Sequence, residues 1–234
     1  MSYLIKLIKS LKEIIITYIL QYLIIIIACI IYILLGKTDT QEFINNYCSY
    51  ILIIYYILTI LYLYLKNKKT EPYLPKTNYY QLISLGISLS CFLNMIIFLI
   101  HKQPQVTTNI PLIILLISSG IIGPIYEEIL FRYILLNRLK TFNSTTKSII
   151  LNSIIFALIH INPIKICYTF ILGLILNLTY QKYNNIIAPI LIHASANIIS
   201  LFLTEFNIYI LILSTMSLII TIYTNKTIFN KEFN

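Results

Sequence analysis

Apolar runs as long as a bilayer core recur along most of this chain, and they leave few folds open to it. A hydrocarbon core of about 30 Å is crossed by about 20 consecutive apolar residues in a helix. In lipid, backbone N–H and C=O groups have to be satisfied inside the segment, which favours helices for such runs. Runs of this kind fall at about 14–35, 47–65, 79–100, 110–136, 146–161, 164–180, 186–203 and 207–223, the fifth and sixth being short. Breaks separate them at Gly36-Lys37, at Pro72 and Pro75, between Pro104 and Pro111, at Asn162-Pro163 and at Asn184-Asn185. The expectation is an all-α, polytopic transmembrane helical bundle of about eight spans, forming a single integral-membrane domain over residues 1–234.

Composition agrees with that class. The chain is 59% hydrophobic and 11% charged, whereas soluble domains are about 25% charged. No polar stretch is long enough to fold as a soluble domain. The first apolar run follows a basic start, as in a signal peptide, but it is long and lacks a small-x-small cleavage pattern, so an uncleaved span is expected. Cys29, Cys48, Cys91 and Cys167 have no CxxC spacing, which argues against a metal cluster or a disulfide framework.

The net charge of +9 raises nucleic acid as a partner, but the charges sort by loop. Lys6, Lys9 and Lys12 precede the first run, and Lys66, Lys68, Lys69 and Lys76 separate the second from the third. Arg138, Lys140 and Lys147 separate the fourth from the fifth, Lys182 follows the sixth, and Lys226 and Lys231 close the chain. The alternate loops hold only Lys37, Lys102 and Lys165, together with Asp39, Glu42 and Glu205. By the positive-inside rule this pattern puts a multi-pass protein in the cell membrane with both termini cytoplasmic. The lipid bilayer is then the expected partner, and nucleic acid is not.

Against this background a few polar residues stand out. Glu127 and Glu128 lie inside the fourth run, with Arg132 four residues beyond. His160 ends the fifth run, and His193 and Asn197 lie in the seventh. A charged side chain at bilayer depth costs about 2.5–3.5 kcal/mol on insertion scales, so such residues normally have partners. Residues four apart share a helix face. Glu128 can therefore pair with Arg132, His193 projects with Asn197, and Phe156 lies one turn from His160. Glu127 is rotated about 100° from Glu128 and stays available for other contacts. Pro124, just upstream, removes a backbone donor and is expected to disturb the helix.

Taken singly, each feature fits a structural role, whether an intramembrane ion pair or interhelical hydrogen-bond glue. Together, on three separate runs, they point to chemistry. A carboxylate and an imidazole around one water make a hydrolytic pair, since each can take or give a proton. A second histidine with an asparagine amide offers donors to a developing oxyanion.

In order, spacing and residue type, Glu127-Glu128-x-x-x-Arg132, Phe156-x-x-x-His160 and His193-x-x-x-Asn197 resemble the three motifs of the CAAX protease and bacteriocin-processing (CPBP) family, also called the Abi family. The resemblance covers about residues 110–203, with the motifs on runs four, five and seven. It implies an intramembrane endopeptidase acting on a peptide or protein substrate near the membrane, such as a leader peptide, a bacteriocin precursor or a CAAX-like C-terminus. It implies Glu127 as the general base on a water, His160 as its partner, and His193 and Asn197 as oxyanion donors. Glu128 and Arg132 would hold the first motif, and Phe156 would pack beneath the site. The alternative is a non-catalytic membrane protein of bacteriocin self-immunity, or a scaffold, with the same constellation. Family members are described both as metalloproteases and as metal-free, and this sequence lacks HExxH. A zinc ion would have to draw Glu127, His160 and His193 from three spans, and the sequence leaves both mechanisms open.

Overall fold

The structure, a computed structural model, describes residues 2–37, 39–66, 79–100, 109–160 and 162–224. Lys68, Lys69, Lys76, Lys102, Lys226 and Lys231, and the breaks at Pro72, Pro75 and Pro104, lie outside the described residues. Among the described residues there are eight helical rods and no strand. They are α1 Tyr3–Leu34, α2 Thr40–Lys66, α3 Tyr79–Ile100, α4 Leu112–Lys140, α5 Thr145–Leu158, α6 Pro163–Tyr183, α7 Ile187–Ser200 and α8 Ile208–Thr224. The protein is an all-α, polytopic membrane bundle, with α1, α2, α3, α4 and α6 long and apolar enough to cross a bilayer. Outward faces of the bundle carry large apolar side chains, such as Ile19 and Ile26 of α1, Leu58 of α2, and Leu213 and Ile219 of α8. Water would tolerate such a surface poorly.

Two of the expected spans come out shorter than the sequence suggests. Helices α5 and α7 have 14 residues each, or roughly 21 Å, against a core of about 30 Å. Polar punctuation sets the length of α5. The Ser144 hydroxyl accepts from the Lys147 N–H at the start of α5. Asn162 Oδ1 accepts from the N–H groups of Ile164 and Lys165, and Pro163 follows as the first residue of α6. These are helix-start devices, so α5 has to stop before them. Asn184, left-handed at φ 47°, closes α6.

Helix α4 is the axis of the bundle, packed by α1, α2, α5, α6 and α7. The disturbance expected at Pro124 takes the form of a change of pitch, and the rod continues. The helix is π-helical over Leu116–Ile122, α-helical over Gly123–Glu128 and π-helical again over Ile129–Leu136. The Gly123 N–H donates to the Ser118 carbonyl five residues back, and the wide turn absorbs the proline. Turns of this kind often mark functional sites. Asn152 of α5 donates its amide to the Phe131 carbonyl at 2.8 Å, inside the second π stretch.

Helix α7 is held mainly by α3. A Cβ placed on Gly86 would fall 2.1 Å from Ser195 Oγ and 2.3 Å from the Ile192 carbonyl oxygen. Small residues allow this approach in a membrane, where packing drives association. Ser90 Oγ adds a hydrogen bond to the Ala196 carbonyl at 2.8 Å.

Among the described residues, basic side chains of α1, α2, α4 and α5 meet at one end of the bundle. Buried Glu13 of α1 holds Lys66 of α2 at 2.7 Å and Arg138 of α4 at 3.5 Å. Lys140 donates to Gln181 of α6 at 2.7 Å, and Lys147 of α5 lies 4.7 Å from the Tyr3 ring centre. At the other end, Tyr32 donates to Glu42 at 3.0 Å, joining the close of α1 to the start of α2.

Candidate active site

The α-helical turn between the two π stretches carries both glutamates, and their surroundings differ. Glu128 is fully buried. One of its oxygens lies 3.0 Å from Arg132 Nε, close but poorly aligned for a hydrogen bond. Its other oxygen meets His193 Nδ1 at 2.7 Å. An ionised carboxylate only accepts, so with a neutral imidazole this contact takes the proton on Nδ1 and Nε2 is the acceptor. His193 Nε2 faces Glu127, 3.8 Å from Oε2. Glu127 keeps 20% of its side chain exposed, against 4% for His193.

Phe156 is the platform beneath these groups. The Arg132 guanidinium sits 4.3 Å from its ring centre, an arrangement that lowers the cost of a buried cation. His193 and His160 both approach the ring edge-on, at 5.8 and 5.3 Å between centres. Arg132 Nη2 also reaches the carbonyl of Gly173 on α6, at 3.5 Å. A Cβ at Gly173 would stand 3.1 Å from the Phe156 ring.

Not all the residues expected together are in contact. His193 takes the place beside Glu127 that the motifs suggested for His160. Helix α5 ends at Leu158, so His160 lies in the turn beyond it, with Nδ1 3.0 Å from the carbonyl oxygen of Phe156 in its own helix. Asn197 donates one amide hydrogen to the Ser119 carbonyl at 2.9 Å, which leaves the other hydrogen of that amide for a further acceptor. A cavity of about 160 Å³ lies against Glu127, with Asn197, Tyr56, Ser118, Ser119 and Pro124 in its wall.

A zinc ion does not fit the residues as placed. Among the described residues no group of three His, Cys, Asp or Glu side chains is arranged to hold a metal. Glu127 and His193 Nε2 supply two donors, and catalytic zinc sites take three protein ligands.

The family model for type II CAAX prenyl endopeptidase Rce1-like proteins matches residues 109–199. That segment is a CPBP-family domain. No curated protein and no solved structure gave a match. The CPBP domain spans α4 to α7 and contains the whole cluster around Phe156. Residues 109–199 are thus similar to intramembrane proteases of the CAAX type, and they hold a buried His193–Glu127/Glu128 cluster consistent with a Glu/His catalytic pair. Membrane-embedded protease activity is supported by that match and that cluster together.

Some residues of the site were not singled out by the motifs. Asn152 and Asn177 are fully buried amides. The first holds a π-helical carbonyl, and the second donates to Ser153 Oγ at 2.9 Å. Their position in apolar runs was a readable signal, because a buried amide needs a partner. Tyr56 and Ser119 carried no such signal, since α2 holds many tyrosines and Ser119 is exposed.

Proposed function

We propose that the protein is a membrane-embedded endopeptidase in which Glu127 activates a water for attack on a peptide bond. The reading rests on one observation above all. Glu128 joins Arg132 to His193, and the free nitrogen of that imidazole faces Glu127 beside the cavity.

A water at the cavity side of this pair has two acceptors to bind. As it attacks, Glu127 takes its proton and a tetrahedral intermediate forms. Glu127 then delivers that proton to the leaving amine, and the C–N bond breaks. His193 steadies the water, and Glu128 keeps the imidazole in one tautomer and orientation. The spare amide hydrogen of Asn197 donates to the oxyanion, a contact of a kind worth about 2.7–4 kcal/mol. Arg132 balances the charge of Glu128, and Phe156 sets the level of both histidines. His160 closes the site behind Phe156.

The whole of residues 1–234 acts as one integral-membrane domain of eight segments, with motifs on the fourth, fifth and seventh. Helices α5 and α7 need not cross the bilayer alone, because the longer α6 and α3 pack against them. Both termini lie in the cytoplasm, by the clustering of basic groups at one end of the bundle. The substrate is a peptide or protein segment held near the membrane.

The test replaces Glu127 by Gln and compares peptides from cells carrying each form by mass spectrometry. A product present with the wild type and missing with a folded, inserted E127Q protein supports the reading. Unchanged cleavage by E127Q refutes it.

A further inference from the structure

The cavity beside Glu127 and the basic rim lie toward opposite ends of α4. The basic end carries Arg138 and Lys140 and is tied to α1 and α2 through Glu13. From Glu127 the cavity runs the other way, along Pro124, Gly123 and Ser119 to Leu115. That is roughly 15–18 Å of helix, ending close to the first residue of α4. Helix α2 repeats the polarity: it ends at Lys66 on the basic rim, and it lends Ser49, from its first half, to the cavity.

The two sides of the glutamate pair also differ in what fills them. Toward the basic rim, Leu130, Leu135 and Leu139 are fully buried and pack with Ile134, Ile14 and Leu63. This apolar cluster stands between the basic end of α4 and Glu127 on the side of α1 and α2. Toward the other face the walls include the hydroxyl residues Ser49, Ser118 and Ser119 and the amide of Asn197, and Ser119 is exposed. Water and an extended peptide backbone need such polar partners, and an aliphatic core offers none.

We propose that substrate enters from the end opposite the basic rim and reaches Glu127, at the middle of α4, from the outer side of the bilayer. This rests on the reading of Glu127 as the catalytic carboxylate and on the positive-inside assignment of the basic rim. The substrate class is then a peptide or protein segment that has already been translocated, or the external flank of a membrane anchor. A C-terminus held in the cytoplasm would meet the apolar cluster on the side of α1 and α2.

Thiol labelling tests the proposal without requiring turnover. Cysteine is introduced at Ser119 and Ser49 in the cavity, and at Thr141 on the basic rim, in the full chain. The four native cysteines are changed to serine, or kept as background where that change costs the fold. A membrane-impermeant maleimide is applied to intact cells and to inverted vesicles. Maleimide reacts with the thiolate, which forms only where water reaches the sulfur. The expected pattern is S119C or S49C labelled from outside intact cells and T141C labelled only in inverted vesicles. Cavity and rim cysteines labelled from the same side would overturn the proposal, as would the reverse pattern or cavity cysteines inert from both sides. Because labelling is independent of catalysis, a wrong side leaves the protease reading standing, and a failed cleavage assay leaves the labelling result standing.

Discussion

Replacing Glu128 by glutamine, with and without a matching change at Arg132, probes the group on which the site depends. The two charges are 3.0 Å apart and fully buried. At an effective dielectric near 20, that separation corresponds to about 5.5 kcal/mol of attraction. Glutamine keeps the shape and can still accept from His193 Nδ1, but it leaves Arg132 as an uncompensated buried cation. Breaking a buried pair from one side costs about 3–5 kcal/mol, a large share of a stability of roughly 5–15 kcal/mol. Removing both charges is expected to cost less, because Arg132→Met fills the space above Phe156 with apolar atoms. The expected order of stability is wild type, then E128Q/R132M, then E128Q. Equilibrium unfolding in mixed micelles by a graded denaturing detergent measures it, with the coupling read from the four corners of the cycle. If E128Q/R132M unfolds no later than E128Q, the charge-balance argument for Arg132 is wrong. If E128Q also keeps full cleavage, the positioning of His193 by a carboxylate fails with it.

Other outcomes follow from the same geometry. Asn197→Ala is expected to lower kcat by about 10²–10³, with little change in KM, since an oxyanion donor acts mainly in the transition state; single-turnover cleavage measures it, and a loss confined to KM would contradict the role. Gly86→Ala sets a methyl group against the Ile192 carbonyl and Ser195, and overpacking of this kind costs about 1–3 kcal/mol. Activity should fall because α7 and His193 are pushed away from Glu127, and detergent unfolding with a cleavage assay would show whether G86A keeps both wild-type values, which would refute the close α3–α7 contact.

Much of this was readable from single residues. Apolar run length announced helices in lipid, and Asn162-Pro163 and Asn184-Asn185 marked real helix boundaries, because caps are local devices. The Glu128–Arg132 pair was readable too, since i,i+4 geometry is set by the helix alone. The π stretches around Gly123–Glu128 were less legible: Pro124 signalled a disturbance, but whether a rod breaks or widens depends on the helices packed against it. Hydropathy overstates the length of α5, because it does not register Asn162 and Pro163 opening the next helix.

By itself, the sequence determined that this protein is an all-helical membrane bundle, that its basic segments alternate along the chain, and which few polar residues lie at depth. These are properties of composition and of one helix at a time. The tertiary structure alone decided which imidazole stands beside Glu127. His193 reaches it because Gly86 lets α7 approach α3, while His160, in the turn past a short α5, faces its own helix. It also decided that Glu128 serves Arg132 and His193 together, and that the cavity runs away from the basic rim. Contacts between residues 65 positions apart depend on how helices cross, and spacing along the chain carries no record of that.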